Sequence, residues 1–219
     1  MGISKLAVVG ATGNVGREML NILSERNFPC EEVIALASER SEGDAVPFGN
    51  KELIVQSLSS YDFSETSIAL FSAGGKISEV YGPIAAEQGC IVIDNSSKFR
   101  MDNDVPLIVP EVNIEMLEHY RTTNIIANPN CSTIQMVVAL KPLEDLASIN
   151  RINVSSYQST SGAGKVAMEE LFNQTKGIFS NQEVQPESFT KQISFNVIPQ
   201  IGPFLENGNT EEEQKMINE

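Results

Sequence analysis

Apolar residues in the first half of the chain gather in short unbroken runs instead of alternating with polar ones. The runs at 5–9, 32–36, 67–71, 90–93 and 125–127 are bounded by turn residues, the pattern of strands buried on both faces of a parallel sheet. Segments at 17–23 and 77–88 separate them with helical spacing, and Ile77, Val80, Ile84 and Ala85 mark one face of the second. Strands that alternate with helices and end in small or polar residues predict a doubly wound parallel α/β sheet of the Rossmann type. Residues 51–58 alternate enough for one more strand. Residues 107–113 read as extended, interrupted by Pro110, and 115–121 as a short surface helix.

The spacing predicts a helix from Thr133 to about Leu146, after which the character changes. Residues 150–158 alternate polar and apolar, which predicts a sheet with one covered face. A small-residue loop at 159–164 leads into a predicted helix at 165–174, and the Pro- and Asn-rich stretch 182–208 reads as an extended excursion. Thr210 then opens a capped helix with acidic residues in its first turn. We place the domain boundary at the Cys131 helix, with a nucleotide-binding domain at 1–132 and an α+β domain at 133–219.

Composition narrows the partners. A content of 41% hydrophobic and 20% charged residues is that of an ordinary globular protein. A formal charge of −14 argues against nucleic acid and anionic membrane, so an anionic ligand would need a few locally placed cations. Cys30, Cys90 and Cys131 show no C-x-x-C spacing, which predicts a reducing compartment with neither disulfides nor a metal site. Cys90 opens an apolar run and reads as core, and Cys30 reads as a turn residue after Pro29. With no signal-peptide pattern and no apolar run near the ~18 residues of a membrane span, we expect a cytoplasmic protein.

Two stretches carry chemistry. Gly10-Ala-Thr-Gly-Asn-Val-Gly16 lies between a predicted strand and helix, where Gly10 allows the tight turn, Gly13 lets backbone approach a pyrophosphate and Gly16 permits close packing. At the end of the next strand, Arg40 and Ser41 offer a cation and a hydroxyl, which suits the 2′-phosphate of NADP better than the free ribose of NAD if Glu39 points away. The second stretch, Asn128-Pro-Asn-Cys-Ser-Thr133, puts Cys131 between a strand tip and a helix N-terminus, with Ser132 or Thr133 available as cap. Backbone N–H groups and the helix dipole there favour an anionic sulfur and could hold an oxyanion. Position alone allows Cys131 to be either a nucleophile or a small apolar filler. Arg100 reads either as a fork for a carboxylate or phosphate, or as a loop salt bridge to Asp102 or Asp104. His119, the only histidine, sits among Glu118 and Arg121 and reads as solvent-facing. Gly10, Ser72, Asn95 and Cys131 would all share the carboxyl edge of the sheet.

Gly10–Gly16, Asp94-Asn-Ser-Ser97 with Arg100, Asn128–Thr133, and Tyr157-Gln-Ser-Thr-Ser-Gly-Ala-Gly164 together resemble aspartate-β-semialdehyde dehydrogenase, in the same order along the chain. The resemblance implies NADP-dependent reductive dephosphorylation of β-aspartyl phosphate in lysine, threonine and methionine biosynthesis, with the second domain serving catalysis and assembly into a homodimer or homotetramer. It implies Cys131 as the nucleophile, Gln158 as a residue orienting the substrate, and Arg100 and Lys215 as phosphate ligands beside Asn130. Glu212 would bind the substrate amino group, with Glu213 as the alternative. Thr12, Gly13, Asn14, Val15, Arg40, Ser41, Ser161 and Gly162 fall where the family holds NADP. The family's histidine base and its carboxylate-binding arginine match no position in this chain, which resembles roughly the first 60% of such an enzyme. The expectation is turnover lowered by roughly 100- to 10,000-fold. The nearest rival is N-acetyl-γ-glutamyl-phosphate reductase, against which Asn130 and Ser132-Thr133 speak. A rival of another class is a non-catalytic NADP-binding module with an unreactive Cys131.

Overall fold

The apolar runs become strands of one six-stranded sheet in the computed structural model of the chain, which describes residues 3–219. Strands β1 (Ile3–Val9), β2 (Cys30–Ala37), β5 (Gln56–Ser57), β6 (Ile68–Phe71), β7 (Ile91–Asp94) and β8 (Ile125–Ala127) lie in the order β5-β2-β1-β6-β7-β8. Every pairing is parallel. The register aligns their carboxyl ends: Val9 stands opposite Leu36 and Phe71, Phe71 opposite Asp94, and Asp94 opposite Ala127. The loops that follow these five strands therefore leave the sheet at one edge.

Alternation along β1 divides the core into two layers. Leu6 and Val8 pack on one face with Leu20 and Leu23 of helix α1 (Asn14–Glu25). Ala7 and Val9 face the other way, with Phe63, Phe71, and Ala85 and Ala86 of helix α2 (Gly75–Glu87). Leu20 is fully buried, and a side chain of that size contributes about 1.5–3 kcal/mol on leaving water. Both faces are covered, which is why the runs are continuous and not alternating.

Cys90 is core, as expected, and burial pushes its thiol up from 9.0 to about 12. The folded state thus keeps the proton longer than the unfolded chain does. This contribution to stability is complete below pH 9 and is lost as pH rises toward 12. We expect the denaturation midpoint to decline across that window, and to decline less steeply in Cys90→Ala, as followed by circular dichroism against pH.

Several sequence expectations are corrected. Residues 51–58 are not one strand: β4 (Lys51–Ile54) pairs antiparallel with β3 (Ala45–Phe48) in a separate ribbon, and only β5 joins the main sheet. Pro110 does not interrupt an extended segment but occupies the first turn of a short helix, α3 (Pro110–Asn113), where its missing N–H costs nothing. The segment carrying His119 is 3₁₀ over Ile114–Thr122. Cys30 begins β2 and is not in a turn. Residues 150–158 form no strand among the described residues; they are irregular and mostly exposed, with no described strand paired beside them.

The chain divides into two compact units, Met1–Arg151 with Asn218–Glu219, and Ile152–Ile217. Helix α4 (Cys131–Glu144) closes the first. In the second, helix α5 (Lys165–Ser180) runs past the predicted end at Gln174, which is buried within it. Its Oε1 accepts the backbone N–H groups of Ile193 and Ser194, and buried Glu170 accepts those of Glu187 and Ser188. These bonds fasten the irregular excursion to the helix. Helix α6 (Glu211–Asn218) follows, opened by a reciprocal cap in which Thr210 N–H donates to Glu213 and Glu213 N–H donates to the Thr210 hydroxyl.

Candidate active site

Gly10 takes φ +86°, and a Cβ there would stand 3.0 Å from backbone atoms of Ser72 and Ala73. Only glycine lets the loops after β1 and β6 meet so closely. Its N–H donates to Leu36 O at 2.8 Å, which ties the loop to the end of β2. Gly13 is the N-cap of α1 and supplies no side-chain cap, and Gly13, Asn14 and Val15 are exposed beside half-buried Thr12. A bare helix N-terminus under a glycine turn fits the pyrophosphate of a dinucleotide. At the end of β2, Arg40 and Ser41 sit in a 3₁₀ turn with Arg40 exposed. Glu39 is diverted, because its carboxylate accepts from the Ser59 hydroxyl at 2.8 Å. Arg40 is exposed beside half-buried Ser41.

Three strands along, β7 ends in Asp94, which is fully buried and accepts from the hydroxyls of Ser78 and Ser96, both at 2.6 Å. These bonds fix the turn that carries Asn95. Asn128, after β8, donates from Nδ2 to Asn95 Oδ1 at 2.6 Å, so the two loops are laced together. Asn130 is the N-cap of α4, accepting from Ser132 N–H at 2.8 Å; the cap is therefore neither Ser132 nor Thr133, and the helix begins at Cys131 itself. Cys131 is exposed at that first position. Thr133 is 2% exposed and its hydroxyl has no hydrogen-bond partner, a spare donor in the first turn.

Arg100 does not pair with Asp102 or Asp104. Its side chain is 7% exposed, and it donates from Nε to Asn128 O at 2.9 Å, from Nη2 to Asn95 O at 3.1 Å and from Nη1 to Glu219 at 2.8 Å. Asp102 instead caps the N–H of Asp104. Two of the five guanidinium N–H groups remain for a ligand. His119 is exposed on the segment that enters β8 at its amino end, the opposite edge of the sheet from Cys131.

In the second unit, Gln158 packs on Gly162, where a Cβ would fall 2.5 Å from its Nε2. Ser161 shares a hydrogen bond with Ser159 at 2.5 Å. On α6, Glu212 is buried and stands 3.4 Å from Lys215, whereas Glu213 is spent on the Thr210 cap, which holds its carboxyl below the usual range.

Sequence reasoning brought Gly10, Ser72, Asn95 and Cys131 to one edge correctly. It missed Glu219, for which no local pattern exists, and the buried role of Asp94, whose signal is an acid closing the apolar run Ile91–Ile93. Among the described residues no group of His, Cys, Asp and Glu could hold a metal, and no helix is long and apolar enough to cross a membrane.

The family model described as "Semialdehyde dehydrogenase, NAD binding domain" matches residues 5–120, and "Semialdehyde dehydrogenase, dimerisation domain" matches 140–219. Aspartate-semialdehyde dehydrogenase 2 of Vibrio cholerae is 54% identical over 212 residues, covering 97% of this chain and 63% of that protein. The Aquifex aeolicus aspartate-semialdehyde dehydrogenase is 53% identical over 217 residues, covering 98% and 64%. The crystal structure of the V. cholerae enzyme II complexed with ASA superposes with TM-score 0.95 at 53% identity, over 98% of this chain and 64% of that one. The chain thus spans just under two thirds of the length of these relatives. On matched domains, identity and fold alike, this chain belongs to the aspartate-semialdehyde dehydrogenase family.

Proposed function

We propose that the chain carries the NADP site and the nucleophile of a phosphorylating aldehyde dehydrogenase, acting between β-aspartyl phosphate and aspartate semialdehyde. The observation that carries this reading is Cys131, exposed as the first residue of α4 on the same sheet edge as the glycine turn. In the reductive direction the Cys131 sulfur attacks the acyl carbon and the C–O bond to phosphate breaks, leaving an acyl thioester and free phosphate. When bound, NADPH supplies a hydride to that carbon. Collapse of the resulting tetrahedral adduct then releases the aldehyde and returns the thiolate. The N-terminus of α4 stabilises negative charge on the acyl oxygen in both tetrahedral states. Arg100 offers its two remaining N–H groups to the phosphate, with Asn130 of the same unit as a substrate contact. For the second unit, taken by itself, the family resemblance proposes Lys215 as a phosphate ligand, Glu212 as a partner of the substrate ammonium, Gln158 as a substrate-orienting residue, and Ser161 and Gly162 as cofactor contacts. The region matched by the dimerisation model serves assembly of a homodimer.

Arg40 sets cofactor choice in this reading. Arg40→Ala is expected to weaken NADPH by about 10-fold, the size of one charge-assisted hydrogen bond, and NADH by less than about 2-fold. Fluorescence titration of both cofactors checks it; equal weakening of the two would contradict the assignment. The substrate is tested by comparing aspartate semialdehyde with N-acetyl-glutamate semialdehyde as hydride donors to NADP. Preference for the second aldehyde would replace this reading with that of the acetylglutamyl enzyme.

A further inference from the structure

We infer that Glu219 is a positioning residue for the Cys131 site, acting through Arg100 and the backbone of Asn130. Its side chain is 3% exposed, although it is a carboxylate. One oxygen accepts from Arg100 Nη1 at 2.8 Å and the other from the Asn130 N–H at 2.5 Å. Asn130 directly precedes Cys131 and caps its helix, and Arg100 is bonded in turn to Asn128 O, three residues before the sulfur. One buried carboxylate therefore does two things at once. It fixes the peptide from which α4 starts, and it neutralises the guanidinium that is bonded to both the loop after β7 and the loop after β8. A guanidinium and a backbone N–H converging on one carboxylate from elements 89 and 119 positions away is a built arrangement and not a surface pairing.

The consequence is electrostatic. With Glu219 charged, Arg100 reaches the site as half of a neutral pair, directional in its remaining N–H groups but weak in net attraction for anions. With Glu219 neutral, the guanidinium charge is felt at Cys131. This inference rests on the reading of Cys131 as the reacting thiol, but its test needs no substrate and so fails separately from that reading.

The test is the ratio of Cys131 alkylation rates by iodoacetate, an anion, and iodoacetamide, its neutral analogue, read by peptide mass spectrometry on the full chain. Glu219→Gln keeps the shape and an acceptor for Asn130 N–H, and is expected to raise the ratio by about 3- to 10-fold. Glu219→Asp, which keeps the charge, should remain within about 2-fold of the unaltered chain, and adding Arg100→Gln to Glu219→Gln should remove the increase. A merely structural carboxylate would change both reagents' rates together, leaving the ratio flat in Glu219→Gln. That result overturns the inference. Arg100→Gln alone supplies the independent arm: it should lower the ratio below that of the unaltered chain, and an unchanged ratio there overturns the inference as well.

Discussion

Cys131→Ala is expected to abolish phosphate-dependent NADPH formation from aspartate semialdehyde, by more than about 1,000-fold, while leaving the fold and the cofactor affinity intact. The reasoning is local. In the proposed reaction the Cys131 sulfur forms the acyl bond from the first position of α4, where it is exposed, and an alanine there offers no nucleophile. Cys131 is exposed, so its removal opens no cavity and should shift the melting temperature by no more than about 2 °C. NADPH titration of the variant should give a dissociation constant within about 2-fold of the unaltered chain. A variant that kept its rate would remove the nucleophile from the account.

Gly16→Ala is expected to have the largest effect on the fold. A Cβ at Gly16 would stand 2.2 Å from the carbonyl oxygen of Gly10 and 2.7 Å from its carbon, and both are backbone atoms of the turn. No rotamer change relieves such a contact; α1 must move off the sheet, and with it fully buried Leu20. The expected cost is about 3 kcal/mol or more, at the upper end for overpacked sites, which in a chain of this size lowers the melting temperature by roughly 6–12 °C. Cofactor binding should be lost with it. Gly13→Ala separates the two effects: its Cβ meets only Gly10 O at 3.3 Å, so stability should fall slightly, while NADPH affinity should fall strongly if the proposed pyrophosphate contact uses the bare backbone of this turn. Calorimetry and cofactor titration on the two variants check the contrast.

The parallel sheet was legible because both its faces are covered. Runs such as 67–71 and 90–93 have no polar side to hide, and their ends coincide with small or polar residues where the loops begin. Legibility failed where a strand's partner, and not its own pattern, decides the outcome. At Val55 the chain leaves its ribbon with β3 and joins the sheet edge beside β2, and alternation runs through that change of partner without a mark. Residues 150–158 alternate as a half-buried strand would, yet no described strand lies beside them to make one.

The site divides in the same way. Gly10–Gly16 and Asn128–Thr133 are continuous motifs whose spacing states the turn they make. Local reading still misjudged the cap, since Asn130 fills the role expected of Ser132 or Thr133, two and three positions further on. Arg100 was visible as a cation near the edge, but its partner lies 119 residues away, and Asp102 and Asp104 next to it were the only candidates that proximity in sequence could offer. Glu39 shows the reverse case: the carboxylate that complicated the choice of NADP is occupied by Ser59, a hydroxyl brought near only by the sheet.

The most direct test of the central claim is absorbance of NADPH formed by the 219-residue chain from aspartate semialdehyde and NADP, with and without phosphate, beside the Cys131→Ala variant. The account predicts that NADPH appears only with Cys131 present, and that phosphate sustains it beyond one equivalent by attacking the thioester and freeing the sulfur. Formation that persists in Cys131→Ala, or that is indifferent to phosphate beyond the first equivalent, would contradict it.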